Sequence, residues 1–136
     1  MTKNLNKSNS KPIEKIDPIT VEVIRNSFAS IAKQMNQNLA RSAYTPIIYE
    51  MKDCSVGIFD REINLVGQSS GLPVFLGTLG PAVKAVVDSY DNTEIKEGDV
   101  YIINDSYIVG SHLNDMTVLS PIFYKNKLIG YGATKA

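Results

Sequence analysis

The one histidine of this chain, His112, stands three residues ahead of Asp115. An imidazole nitrogen and a carboxylate oxygen at that spacing suit zinc, manganese or iron better than a thiolate-seeking metal. A His-x-x-Asp pair also arises by chance, and a surface-loop histidine beside a carboxylate reads the same way. Asp105 ends the preceding apolar run and could contribute, or it could make the side-chain to backbone bonds of a turn. Asp53 is a second carboxylate of interest, because it stands just before an apolar run and so at a strand edge; the competing reading is a salt bridge with Lys52 or a neighbouring lysine. The lone cysteine, Cys54, follows it and reads as a small buried apolar residue rather than a thiolate nucleophile.

These residues need elements to position them. Residues 1–16 are rich in lysine, asparagine and serine and read as a disordered polar tail. Order begins at Asp17-Pro18, a cap followed by a proline suited to the first helical position. Ile24, Phe28, Ile31, Met35 and Leu39 then recur at spacings of three and four, which predicts a long amphipathic helix from Pro18 to about Ala43, ended by Thr45-Pro46. Short strands follow. Ser55 to Phe59 and Ile63 to Val66 flank Asp60-Arg61-Glu62 as a hairpin. Gly71-Leu72-Pro73 reads as loop, and Gly80-Pro81 opens a second helix over Ala82 to Tyr90. Asp91-Asn92-Thr93 and Glu97-Gly98-Asp99 punctuate the chain before the strand Val100 to Ile103. That strand leads into the loop Asn104 to Asp115, a common way to present polar groups from a rigid scaffold. Thr117 to Phe123 and Leu128 to Thr134 read as a second hairpin turning at Lys125-Asn126. The pattern predicts an α+β fold, the long helix packed on antiparallel strands and hairpins, as an incomplete part of a larger domain.

Bulk composition narrows the function classes. The 136 residues suffice for one modest core, and 14 basic residues balance 14 acidic ones. That balance argues against a dedicated nucleic-acid binder. A single cysteine cannot build a disulfide framework, no apolar run approaches the roughly 20 residues of a membrane span, and the N-terminus lacks a secretory apolar core. A cytoplasmic protein away from membranes is the expectation. The glycines at 67, 71, 77 and 80 form no phosphate-cradling loop, and no Gly-x-Ser-x-Gly elbow occurs.

Six segments in order resemble the hydantoinase B/oxoprolinase family. They are Asp17 to Asn26, Arg41 to Pro46, Lys52-Asp53-Cys54-Ser55, Leu72 to Gly77, Gly98-Asp99-Val100-Tyr101 and Gly110-Ser111-His112-Leu113-Asn114-Asp115. The resemblance runs from Asp17 to Ala136. It implies an N-terminal segment of a hydantoinase B/oxoprolinase-like domain over residues 17–136, with a divalent metal (zinc, manganese or iron) held by Asp53, His112 and Asp115. A further histidine is expected just after Ala133-Thr134-Lys135-Ala136. The family implies a partner, a hydantoinase A-type subunit that binds ATP and phosphorylates the substrate, which accords with the missing phosphate loop here.

The implied activity is that of a subunit of an ATP-dependent cyclic amide hydrolase of the N-methylhydantoinase or 5-oxoprolinase type. Two alternatives stand beside it: a subunit of an acetone- or acetophenone-type ketone carboxylase, and a truncated relic without catalysis. Family members are several times longer than this chain, so the resemblance implies an N-terminal fragment, inactive by itself.

Overall fold

Asp17 accepts a hydrogen bond from the Thr20 amide at 3.2 Å and so caps α1, Pro18–Ser42, with Pro18 in the first turn. The computed structural model of the chain describes residues 16–69, 71, 73–90, 94–109 and 112–136. The expected tail therefore falls, all but Ile16, outside the described residues, as do Asp91-Asn92-Thr93. Ala43 is extended and ends α1 close to the expected place. Thr45 is extended too, as a residue before proline prefers, and Pro46 starts an unexpected four-residue helix, α2, Pro46–Tyr49.

Among the described residues five strands make one sheet: β1 Ser55–Asp60, β2 Leu65–Gln68, β3 Tyr101–Ile103, β4 Thr117–Tyr124 and β5 Lys127–Lys135. Their order is β2-β1-β5-β4-β3, every neighbouring pair antiparallel. The second hairpin turns where expected, with Lys125 and Asn126 both at positive φ, the conformation a tight two-residue turn needs. The first turn is longer than expected and delays β2 to Leu65. Its cause is Asp60, whose two carboxylate oxygens accept from the Asn64 amide at 2.8 Å and the Asn64 side chain at 2.9 Å, while Ile63 takes φ 64°.

The second helix corrects the sequence reading. α3 spans Pro73–Asp88 and runs through Pro81 instead of starting after it. Pro73 fills the initial position, where a missing N–H costs little. Pro81 forgoes the bond to the Gly77 carbonyl, the ordinary cost of a proline inside a helix, and the helix continues past it. Another correction lies beyond β3, where the expected loop contains a short helix, α4, Ser106–Val109.

Alternation along β1 assigns the two faces of the sheet. Val56 and Ile58 pack with Ala32, Phe28 and Met35 on the α1 side. Phe59 packs with Leu79, Val83 and Val86 of α3 and with Leu119, Tyr131 and Ala133 of β4 and β5. The expected α1 stripe is only half used. Phe28, Met35 and Leu39 turn inwards around buried Ala32 and Asn36, but Ile24 and Ile31 stay nearly half exposed, because α1 rests chiefly on β1 and β2, with a smaller contact to α2. The architecture is α+β, as expected. No helix among the described residues is long and apolar enough to cross a membrane.

Candidate metal centre

Strand register builds this site. Ser55 of β1 and Thr117 of β4 both pair with Lys135 of β5, so the three form a row across the sheet. Counting back by twos puts all three on the α3 face, with Phe59, Ala133 and Leu119. All three are fully buried. Two residues before Ser55 is Asp53, and two residues before Thr117 is Asp115. The two carboxylates thus flank the end of β5 from either side, although they are far apart in the chain. Met116 and Ala136 close that edge with two backbone hydrogen bonds, of 2.8 and 3.2 Å.

Asp53, His112 and Asp115 line one cleft of about 310 Å³, together with Ile47 and Ile48 of α2 and Phe75 of α3. The Asp53 amide donates to the Ile47 carbonyl at 3.0 Å, which ties α2 to the start of β1. Lys52, immediately before, sits at φ 53°, a left-handed conformation that a lysine rarely adopts. The Asp53 carboxylate makes no ion pair with Lys52 or another lysine among the described residues. Its Oδ1 is buried without a hydrogen-bond partner among the described residues. A carboxylate oxygen in that state is costly unless something positive meets it.

The spacing of His112 and Asp115 gives a closed turn. Asp115 Oδ2 accepts from the His112 amide at 3.1 Å and lies 3.5 Å from His112 Nδ1, and the Asp115 amide donates back to the His112 carbonyl at 3.1 Å. Asp115 is mostly covered, its side chain 12% exposed, whereas that of His112 is 88% exposed. Gly110 and Ser111, which belong to the same motif, lie outside the described residues.

Asp105 is not part of this cleft. Its Oδ1 accepts from the Tyr107 amide at 2.9 Å, so it caps the turn of α4, which is the turn role its type also allows. Cys54 is fully buried and its Sγ donates to Asn36 Oδ1 at 3.2 Å. Burial, then the charge of Asp53, pushes its thiol up, with Lys52 opposing, so it is no ready thiolate.

Donor chemistry fits a divalent ion: two carboxylates and an imidazole on one cleft, with one carboxylate oxygen unpaired. The arrangement is open. Among the described residues, no three His, Cys, Asp or Glu side chains close on a point that could hold a metal. Bringing the three together requires movement, which the exposure of the His112 ring permits.

Lys135 escaped the sequence reading, where it served only as part of a motif. Its Nζ donates to Thr78 Oγ1 at 2.9 Å and to the Val109 carbonyl at 3.4 Å. Burial lowers its pKa, and the charge of Asp115 opposes that shift. Its alternation with Ala133 and Tyr131 on a buried strand face was the available signal.

Residues 17–136 match the hydantoinase B/oxoprolinase family, and the chain belongs to it. An uncharacterised protein of Methanocaldococcus jannaschii is 45% identical over 123 residues, which cover 89% of this chain and 22% of that one. The beta subunit of the Pseudomonas jessenii caprolactamase is 32% identical over 120 residues, 88% of this chain and 20% of the relative. The chain thus spans about a fifth of the length of these relatives. Among solved structures, the ATP-dependent caprolactamase from Pseudomonas jessenii superposes with a TM-score of 0.72 at 31% identity, over 90% of this chain and 21% of that one. A nucleotide-free acetone carboxylase superposes with a TM-score of 0.81 at 21% identity, over 90% of this chain and 16% of the other, a likeness of fold.

Proposed function

We propose that this chain supplies metal ligands to an ATP-dependent cyclic amide hydrolase of the hydantoinase/5-oxoprolinase type. The observation that carries the reading is Asp53, whose buried, unpaired Oδ1 belongs to the cleft shared by His112 and Asp115. Relatives named as a caprolactamase, a 5-oxoprolinase and a D-/L-hydantoinase support the reaction class. The acetone carboxylase likeness concerns the fold and does not move the reading towards carboxylation.

Asp53, His112 and Asp115 would hold the ion, which when bound supplies Lewis acidity and brings the pKa of a water near ~7. Asp53 and Asp115 contribute anionic oxygens from two fixed strand ends, so their separation is set by the sheet and not by side-chain freedom. His112 contributes a neutral nitrogen from the cleft's exposed side. Ile47, Ile48 and Phe75 give the cleft apolar walls that exclude bulk water from one side of a small substrate. ATP chemistry belongs in this reading to a hydantoinase A-type partner subunit, which would deliver the activated amide. A cytoplasmic setting accords with an ATP-dependent reaction.

The test is to purify the gene product with its partner subunit and assay ATP-dependent opening of caprolactam, 5-oxoproline and hydantoin, with acetone plus bicarbonate in parallel. Ring opening that disappears in His112→Ala, along with the metal, is the expected result. Consumption of acetone and bicarbonate without ring opening would replace the hydrolase reading with a carboxylase. Full metal content and turnover in His112→Ala would end the metal reading.

A further inference from the structure

Lys135 has an unusual place for a lysine: it is fully buried, on the core-facing side of β5, next to a cleft rich in carboxylate. A buried ammonium is expensive, and an apolar side chain of the same volume would fill the space at less cost. Its contacts show what it holds. One hydrogen bond runs to the carbonyl of Val109, the last residue of α4, from which the chain proceeds to His112 and Asp115. Another runs to Thr78 Oγ1, and Thr78 in turn donates to the Phe75 carbonyl at 3.0 Å. The ammonium also lies 5.4 Å over the Phe75 ring, and Phe75 is a wall of the cleft. One side chain on β5 therefore reaches α3 and α4 at once, and lies two residues inside the edge where Asp53 and Asp115 stand.

We propose that Lys135 is a positioning residue of the metal centre: its buried ammonium, bonded to Val109 and Thr78, fixes the root of the His112–Asp115 segment against α3, beside the sheet end that carries the carboxylates. This rests on the metal reading above. The arrangement has a definite consequence for the ligands. The negative charge of Asp115 is felt at Nζ, where it opposes the effect of burial. A ligand set whose orientation is fixed by outer partners binds metal more tightly, and losing such a partner typically costs about 10- to 100-fold in affinity.

The experiment uses the gene product purified with its partner subunit, stripped with a chelator and titrated with zinc and then manganese. Metal affinity and the metal-free melting temperature are measured for wild type, Lys135→Met, Lys135→Arg and His112→Ala. Lys135→Met should melt at or above the wild-type temperature and bind metal at least about tenfold more weakly. Lys135→Arg, which keeps the charge and the donors, should recover most of that affinity. Should Lys135→Met fail to fold, Lys135→Gln, with a donor but no charge, must show the same loss.

Wild-type affinity in Lys135→Met, or in Lys135→Gln where that variant stands in, overturns the inference. Equal losses of affinity and melting temperature in the Met and Arg variants also overturn it, by reducing Lys135 to packing. Undiminished metal in His112→Ala overturns the metal reading itself, an outcome separate from either of these.

Discussion

The α3 face of the sheet holds two kinds of row within one strand length. Gly57, Ala133 and Leu119 form one row and Phe59, Tyr131 and Pro121 the next, and both are apolar apart from the tyrosine hydroxyl. Ser55, Lys135 and Thr117, the adjoining row, are polar and equally buried. The same backbone, face and covering helix thus serve two ends. The apolar rows hold the fold together. The polar row gives up some of that stability, and it is the one that borders Asp53 and Asp115. Cost concentrated at one sheet edge marks where this fold does something other than fold.

The comparison can be broken from either side. Leu119→Ala opens a cavity under α3 and should destabilise the protein by about 2–5 kcal/mol in chemical denaturation. Its metal content per folded molecule should be unchanged. A loss of metal matching the loss of stability would erase the distinction between the rows. Thr117→Val tests the opposite row. Thr117 Oγ1 is buried without a partner among the described residues, so an isosteric valine should raise stability by about 1 kcal/mol. A drop of that size instead would mean the hydroxyl is satisfied in solution.

A smaller effect should come from Tyr131, whose phenol is pushed above its ordinary value of 10.0 by burial. A group with a raised folded pKa contributes stability that is complete below the unfolded value and is lost as pH rises through the folded one. Stability measured across the alkaline range, from below the ordinary phenol value to above it, should therefore fall, and fall less in Tyr131→Phe. Identical slopes in the two proteins would show that the phenol ionises as freely in the fold as out of it.

Much of this was legible in the chain. The α1 period, the caps at Asp17-Pro18 and the Lys125-Asn126 turn are local signals, and local signals survive folding. Gly80-Pro81 misled because α3 packs on the sheet through Leu79 before the proline and Val83 and Val86 after it, and such tertiary packing is invisible to a local breaker signal. The four-residue helices α2 and α4 are too short to carry a period, yet α2 supplies a cleft wall and α4 the carbonyl that Lys135 holds. The His112–Asp115 turn could be read from spacing, whereas the opposite exposures of its two side chains could not. Nothing in the types or local spacing of Asp53 and Asp115 says that they flank one strand end. Only the order β1-β5-β4 does that, and strand order is a long-range property.

The central claim is that the Asp53 Oδ1 is buried and unpaired in order to meet a metal. Its most direct test is Asp53→Asn in the gene product purified with its partner, with bound metal counted by mass spectrometry and metal-free stability measured alongside. The account predicts that stoichiometric metal is lost while the metal-free variant is at least as stable as wild type, because a carboxylate with a buried, unpaired oxygen has been removed. Full metal content in Asp53→Asn would contradict it.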